Sequence, residues 1–528
     1  MPTSRFSYNF DTPTFKGISE FDARLFIDGQ FVDPSEEGTH VVINPVNGQT
    51  IAHIPVGSAK DVDIAVQAAR RAYATTWGLH ISGAARGRML NKLADLMENN
   101  VDELAALEAL NLGHYVFPIL FQALTFGRLS GKPYLFAKQF DFVAAINTIR
   151  YYAGFADKIG GKTIHSSPEK MCYTMHEPIG VVGQIIPWNA PFILAWKLAP
   201  ALATGNTVIL KPSEITPLTA IRVASLMNEA GFPPGVVNIV NGVGSTVGQA
   251  ICEHRQIFKV SFTGSALTGR KIMEAAARSN LKSLSLELGG KSPTIIFDDA
   301  NLDQAVKWTA HGILSENANI VCFSFNTGQA CSAGTRIFVQ EAIFDRFIQK
   351  LKEQAEALTV GDPFEQSTTF GPQVSEMQFK RVMGYIASGK EAGAHVQCGG
   401  ESYNQGGFYV KPTIFTECSA DMEIAREEIF GPVGVVFKFK DEAEVIAKAN
   451  DSMYGLACSV FTKDIQRAMN TAHKIEAGTT WVNFTNFPDH TVPFGGYKMS
   501  GFGRDLGEYA LSNYTQVKAV HFNLGLDL

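Results

Sequence analysis

Cys331 lies in Asn326-Thr-Gly-Gln-Ala-Cys-Ser-Ala-Gly334, a run of small residues that lets other groups come close to a thiol. A thiol so placed is a nucleophile once it loses its proton, whereas the same sulfur buried among apolar neighbours is an inert structural cysteine. Glu287 closes the apolar run 284–288 and stands just before Gly289-Gly290. A carboxylate there is either a general base at a cleft or half of a buried ion pair, and geometry decides between them. Asn189, in Pro187-Trp188-Asn189-Ala190-Pro191, either caps the helix that follows or donates its amide to an oxyanion.

Two glycine-rich turns between a strand and a helix are suited to phosphate. Gly242-Val-Gly244-Ser-Thr-Val-Gly248 follows the run 236–240, although its last spacing departs from G-x-G-x-x-G. Phe262-Thr263-Gly264-Ser265 leads into Gly269 and presents hydroxyls and free N–H groups at a helix start. Either turn also serves simply as a helix cap.

The elements that must hold these residues alternate. Short β-branched runs at 181–186, 207–210, 236–240, 258–262 and 284–288 are separated by amphipathic helices ending near 203, 230 and 279. That alternation predicts a doubly wound parallel sheet, covered by earlier helices over 61–73 and 86–107. A second α/β series runs through 294–297, 335–339, 433–437, 456–461 and 479–482, with a helix over 341–357. Glu287 to Pro293, with two glycines and a proline, reads as the hinge between the two series, where a cleft belongs. The last alternating segment, 512–523, has no nearby hairpin partner and is expected to pair with another subunit.

A chain of 528 residues with 45% hydrophobic and 18% charged residues is globular and too long for one core. A net charge of −6 without a basic run argues against nucleic acid. The seven cysteines form no C-x-x-C pair, so neither a metal nor a disulfide framework is indicated and a reducing compartment fits. The first 17 residues lack the pattern of a targeting peptide, and the most apolar stretch, 115–126, falls short of the roughly 20 residues that span a bilayer. The expected location is cytoplasmic, without membrane contact.

Taken together, seven blocks resemble the aldehyde dehydrogenase superfamily: Pro-Trp-Asn at 187–189, Lys-Pro-Ser-Glu at 211–214, Phe-Thr-Gly-Ser at 262–265, Glu-Leu-Gly-Gly-Lys-Ser-Pro at 287–293, Gly-Gln-Ala-Cys at 328–331, Glu-Glu-Ile-Phe-Gly-Pro at 427–432 and Pro-Phe-Gly-Gly-Tyr-Lys at 493–498. The resemblance implies a Rossmann-like nucleotide domain over 1–155 and 177–288. It implies a catalytic domain over 289–500 and a small β oligomerisation arm over 156–176 and 501–528, in a homodimer or homotetramer. It further implies that Cys331 attacks an aldehyde to form a thiohemiacetal. Asn189 and the Cys331 N–H would hold the oxyanion, and Glu287 would activate water to release a carboxylic acid from the thioester. Lys211 and Glu214 would hold the adenosine ribose of NAD, with Glu214 repelling the 2′-phosphate of NADP. Gly264 and Ser265 would receive the pyrophosphate, Glu428 the nicotinamide ribose, and Phe430 and Trp188 would wall the cofactor cleft. Phe484 and Phe487 hint at an apolar aldehyde.

Two stretches depart from the family pattern. Residues 114–131 are inserted after Gly113, and roughly ten residues, 314–323, are added just upstream of the Cys331 loop. Both read as translated non-coding sequence or as lineage-specific elements. The second leaves open a cofactor-binding protein with an impaired site. A thiol-dependent esterase using Cys331 and Glu287 is a further alternative.

Overall fold

A computed structural model describes residues 4–113, 141–313, 326–365, 367–403 and 406–527. Both departures from the family pattern, 114–131 and 314–323, lie outside the described residues.

The first α/β series forms an eight-stranded sheet. Its centre is five parallel strands in the order Ser283–Glu287, Lys259–Thr263, Val181–Ile185, Thr207–Lys211 and Val237–Ile239. Val181–Ile185 and Thr207–Lys211 are buried at every position, as strands must be when helices cover both faces. Antiparallel strands close the edges: Leu25–Ile27 and Gln30–Val32 on one side, Gly501–Phe502 on the other. The second series forms a seven-stranded sheet in which Thr413–Thr416, Val433–Phe439, Arg336–Gln340, Pro293–Ile296, Ala457–Phe461 and Thr479–Val482 run parallel and His395–Cys398 lies antiparallel at the edge.

Helix starts follow their side chains. Ser58 opens Ala59–Thr75 with a capping box, its N–H donating to Asp61 Oδ2 at 2.8 Å. The helix expected over 86–107 is instead two, Gly83–Asn99 and Val101–Leu112. Asn100 separates them: its φ of −108° leaves the helical region, and its Nδ2 donates to the Leu96 carbonyl at 2.8 Å beside its own N–H.

Thr515–Asn523 finds its partner within the same chain, pairing antiparallel with Lys170–Pro178 along its whole length, and Thr163–Ser167 completes a three-stranded sheet. Gly501–Phe502 pairs within the eight-stranded sheet, and Pro178 lies in the strand that pairs with Thr515. Among the described residues, no helix is long and apolar enough to cross a membrane.

A buried ion pair ties the end of the chain to the eight-stranded sheet. Lys197, on Phe192–Ala203, donates to Asp505 at 2.6 Å, with side chains 1% and 5% exposed. Removing one partner strands the other charge in a medium that cannot solvate it. Asp505→Ala is therefore expected to lower unfolding stability by about 3 kcal/mol. The double change Lys197→Met with Asp505→Leu should lower it by less than Asp505→Ala alone, as read from urea unfolding midpoints.

Candidate active site

The parallel strand Ser283–Glu287 sets Glu287 opposite Thr263 and ends there. Leu288 N–H donates to the Ser500 carbonyl at 3.0 Å, and Ser500 Oγ donates to the Gly289 carbonyl at 2.7 Å. Five residues further on, Pro293 begins the other sheet. The glycines between them are required by contact. A Cβ on Gly290 would fall within 3.0 Å of the Cys331 carbonyl oxygen, and one on Gly289 within 3.0 Å of the Glu428 carboxylate. Gly290 N–H donates to Glu428 Oε1 at 2.9 Å. The hinge read in the sequence is thus the point where Glu287, Glu428 and the Cys331 loop meet.

The Cys331 loop is held in a strained shape. Asn326, Thr327 and Gly328 have φ of 42°, 53° and 75°, and a β-branched threonine resists that region. Thr327 Oγ1 accepts from Gln329 Nε2 at 2.9 Å and from Gln373 Nε2 at 3.1 Å. Gln329, fully buried, accepts from Val374 N–H at 2.9 Å. A Cβ on Gly328 would collide with the Gly431 carbonyl, so the 427–432 segment packs directly on this loop. None of this bracing was anticipated from the sequence; the adjacent glutamine in Gly-Gln-Ala-Cys was its only trace.

Asn189 Nδ2 donates to the Gln329 carbonyl at 3.0 Å, which fixes the amide two residues from Cys331. An amide nitrogen carries two hydrogens, so one remains to meet an oxyanion. Asn189 and Cys331 both line a cavity of about 530 Å³ that is partly open to solvent. Its aromatic wall is Phe192, Trp196 and Phe494, with Trp196 5.1 Å from Phe192 and 5.5 Å from Phe494. Phe484 and Phe487, which suggested an apolar pocket from sequence, pack on each other at 6.4 Å, and Phe484 also meets Trp308.

The electrostatics follow from burial. Glu287 is 3% exposed, and neither carboxylate oxygen has a partner in hydrogen-bonding geometry. Burial pushes its pKa up to about 7, while the neighbouring Cys331 thiol, Lys197 and Thr263 hydroxyl pull it back. Burial and then the Glu287 charge hold the Cys331 thiol well above its ordinary value. At neutral pH the sulfur therefore keeps its proton beside a half-ionised carboxylate able to take it. Glu428 is likewise raised to about 7 by burial, against the Gly290 N–H. Lys291, whose ammonium lacks a hydrogen-bond partner, is lowered to about 7 by burial and then by Arg336. Sequence reasoning did not single out Lys291, although it completes Gly-Gly-Lys.

The other predicted residues suit a dinucleotide. Lys211 Nζ donates to Glu214 at 2.8 Å and to the Pro212 carbonyl at 2.9 Å. Burial works against the Glu214 charge, but Lys211 and the backbone N–H of Gly244 hold it below the usual carboxylate value. The first glycine-rich turn therefore sits on this pair, and Asn241, just before it, has a buried amide with no partner on either atom. At the second turn Ser265 caps the helix Ala266–Ser279, and a Cβ on Gly264 would strike the Phe262 ring. Trp188 and Phe430 meet edge to face at 5.3 Å. Phe430 has a φ of 59° and is held by Gln378 Nε2 donating to its carbonyl at 2.7 Å. No group of three metal-ligating side chains occurs among the described residues.

The profile of the aldehyde dehydrogenase family matches residues 31–119 and 123–520. An aldehyde dehydrogenase of Agaricus bisporus is 55% identical over 522 residues, covering 99% of both chains. One of Emericella nidulans is 49% identical, covering 98% of this chain and 97% of that one. Among solved structures, an NAD+ complex of Bacillus cereus aldehyde dehydrogenase is similar at a TM-score of 0.89 and 44% identity, over 95% of this chain and 97% of that one. Betaine aldehyde dehydrogenase of Staphylococcus aureus is similar at 0.88 and 39%, over 96% and 95%. With its two α/β sheets, its hinge at Glu287 and its braced Cys331 loop, the chain belongs to the aldehyde dehydrogenase family, oxidoreductases of aldehydes.

Proposed function

We propose that this chain oxidises an aldehyde to its carboxylic acid with NAD, through a thiohemiacetal and a thioester on Cys331 and with Glu287 as the base. The reading rests on one observation, the buried Glu287 carboxylate beside a Cys331 thiol in a cavity that Asn189 shares. Glu287 takes the thiol proton and the sulfur adds to the carbonyl carbon. The oxygen so charged is met by the Asn189 amide and the Cys331 N–H, each donor worth about 3 kcal/mol. NAD, when bound, supplies the hydride acceptor. Glu287 releases the first proton to solvent, then draws a second from water, whose oxygen attacks the thioester; passing that proton to the departing sulfur frees both acid and thiol.

In this reading the eight-stranded sheet carries the cofactor. Lys211 and Glu214 hold the adenosine ribose, Gly264 and Ser265 the pyrophosphate, and Glu428 the nicotinamide ribose, with Phe430 and Trp188 walling the cleft. Glu214 favours NAD over NADP by charge. The three-stranded arm, with Val517, Ile164, Phe522 and Met171 between 43% and 63% exposed, joins copies into a dimer or tetramer. The six described cysteines are free, which suits a reducing compartment, here the cytoplasm.

Cys331→Ala should abolish NADH formation from every aldehyde in a panel, measured at 340 nm by its absorbance. Ester hydrolysis by the intact protein with no NADH from any aldehyde would make it an esterase instead. A carboxyl with a raised pKa acts as a base only above that value. Hence kcat/KM should fall about tenfold per unit below about pH 6 and level off above about pH 8. A flat profile across that range would remove Glu287 from the role.

Gly290→Ala should lower kcat by about 100-fold and also lower the melting temperature, since the added methyl must displace the Cys331 backbone by a fraction of an ångström to about 1 Å. Glu214→Gln should raise the NADP-to-NAD ratio of kcat/KM by about tenfold. An unchanged ratio would exclude Glu214 from cofactor selection.

A further inference from the structure

Ser500 is fully buried where three segments of the site meet, and it has no part in the chemistry so far assigned. Its carbonyl accepts from the Leu288 N–H at 3.0 Å, and the next residue, Gly501, pairs with Glu287 at the edge of the eight-stranded sheet. Its hydroxyl has one hydrogen to give and lone pairs to accept others. It accepts from the Gly455 N–H at 3.0 Å, just ahead of Ala457–Phe461, and gives its own hydrogen to the Gly289 carbonyl at 2.7 Å. That carbonyl belongs to the same planar peptide as the Gly290 N–H, which donates to Glu428 Oε1 at 2.9 Å. In a trans peptide the C=O and the N–H point to opposite sides, so Ser500 grips one edge of the plane and Glu428 the other. With a glycine on each side of the bond, no Cβ restricts rotation of the plane. Its orientation is therefore set by these two hydrogen bonds.

We propose that Ser500 is a positioning residue for the nicotinamide ribose, acting through the 289–290 peptide to aim and strengthen the hydrogen bond that holds the Glu428 carboxylate. This rests on the assignment of Glu428 to that ribose. Among the described residues, the Gly290 N–H is the hydrogen-bond donor to this carboxylate. Two effects pass along the peptide. The first is orientation. Without the Ser500 hydroxyl the plane is free to turn, and a turned plane presents the Gly289 carbonyl to Glu428 in place of the Gly290 N–H. The second is polarisation, because a hydrogen bond accepted by the carbonyl draws electrons from the peptide nitrogen and makes its N–H a stronger donor. Both effects leave the adenosine end of the cofactor site untouched.

The test is a double-mutant cycle on the full chain: the intact protein, Ser500→Ala, Glu428→Ala and the two changes together. Each is titrated with NADH by its fluorescence and with AMP by displacement of NADH. AMP carries the adenosine ribose and no nicotinamide ribose, so it reports only the other end of the site. Ser500→Ala should raise the Kd of NADH about tenfold and leave that of AMP within about twofold, the size of one weakened charge-assisted hydrogen bond. Beside Glu428→Ala the same change should add nothing, since the peptide then has no carboxylate to hold. Ser500→Cys keeps bulk at the buried position and donates weakly, so it should fall between serine and alanine. It takes the place of Ser500→Ala in the cycle if the alanine variant does not fold. Equal weakening of NADH and AMP, or the same factor in both backgrounds, overturns the proposal. If Glu428→Ala itself leaves NADH binding unchanged, the ribose assignment falls; if Glu428→Ala weakens it and the Ser500 variants do not, Ser500 alone is excluded.

Discussion

Backbone meets backbone between Gly290 and the carbonyl of Cys331, and the rest of the site is arranged around that contact. Side chains can repack around a lost methylene, whereas two main chains in contact leave no rotamer to change. The contact joins the end of one sheet to the loop feeding the other. Gly328 meets the Gly431 carbonyl in the same manner, so three segments distant in sequence are locked to one another. The left-handed Thr327 costs on the order of 1–3 kcal/mol, and the buried amides of Gln329 and Gln373 hold it there.

Glu287 and Lys291 lie on either side of the Gly290 contact at 3% and 1% exposure, and their chemistry follows from that burial. Glu287, Glu428 and Lys291 are all drawn towards a pKa of about 7, the two acids from below and the lysine from above, in each case chiefly by burial. A carboxyl near neutrality takes a proton and gives it up with comparable ease. The thiol pays the opposite electrostatic consequence, because ionising it beside Glu287 sets two negative charges together. Proton transfer from sulfur to carboxylate keeps the pair at one negative charge.

The corner at Glu214 is wetter. Glu214 is 27% exposed and keeps its charge because Lys211 and a backbone N–H face it. The carboxylate of Glu214 is thus partly screened by solvent, whereas that of Glu287 is desolvated.

Much of this was legible in the amino-acid sequence for reasons that are local. A strand covered on both faces must be apolar throughout, so the runs near 181, 207 and 259 announce a parallel sheet. Gly289-Gly290 announced a hinge because few other residues tolerate such contact, and Cys331, Glu287, Asn189, Lys211 and Glu214 stood out within blocks of recognisable order. Other features depended on neighbours remote in the chain. Asn100 divides a helix by leaving the helical region of backbone space, although amphipathic periodicity continues across it. The terminal strand pairs with Lys170–Pro178, more than 300 residues earlier, and strand alternation carries no record of its partner. The aromatic wall falls to Phe192, Trp196 and Phe494 rather than to Phe484 and Phe487, since side-chain direction in a loop has no period to read. Sequence by itself determined which residues are able to do the chemistry and which segments must be buried. Only the tertiary structure decided their protonation, because a pKa is set by the water excluded and the charges gathered around a group, and both come from the whole fold.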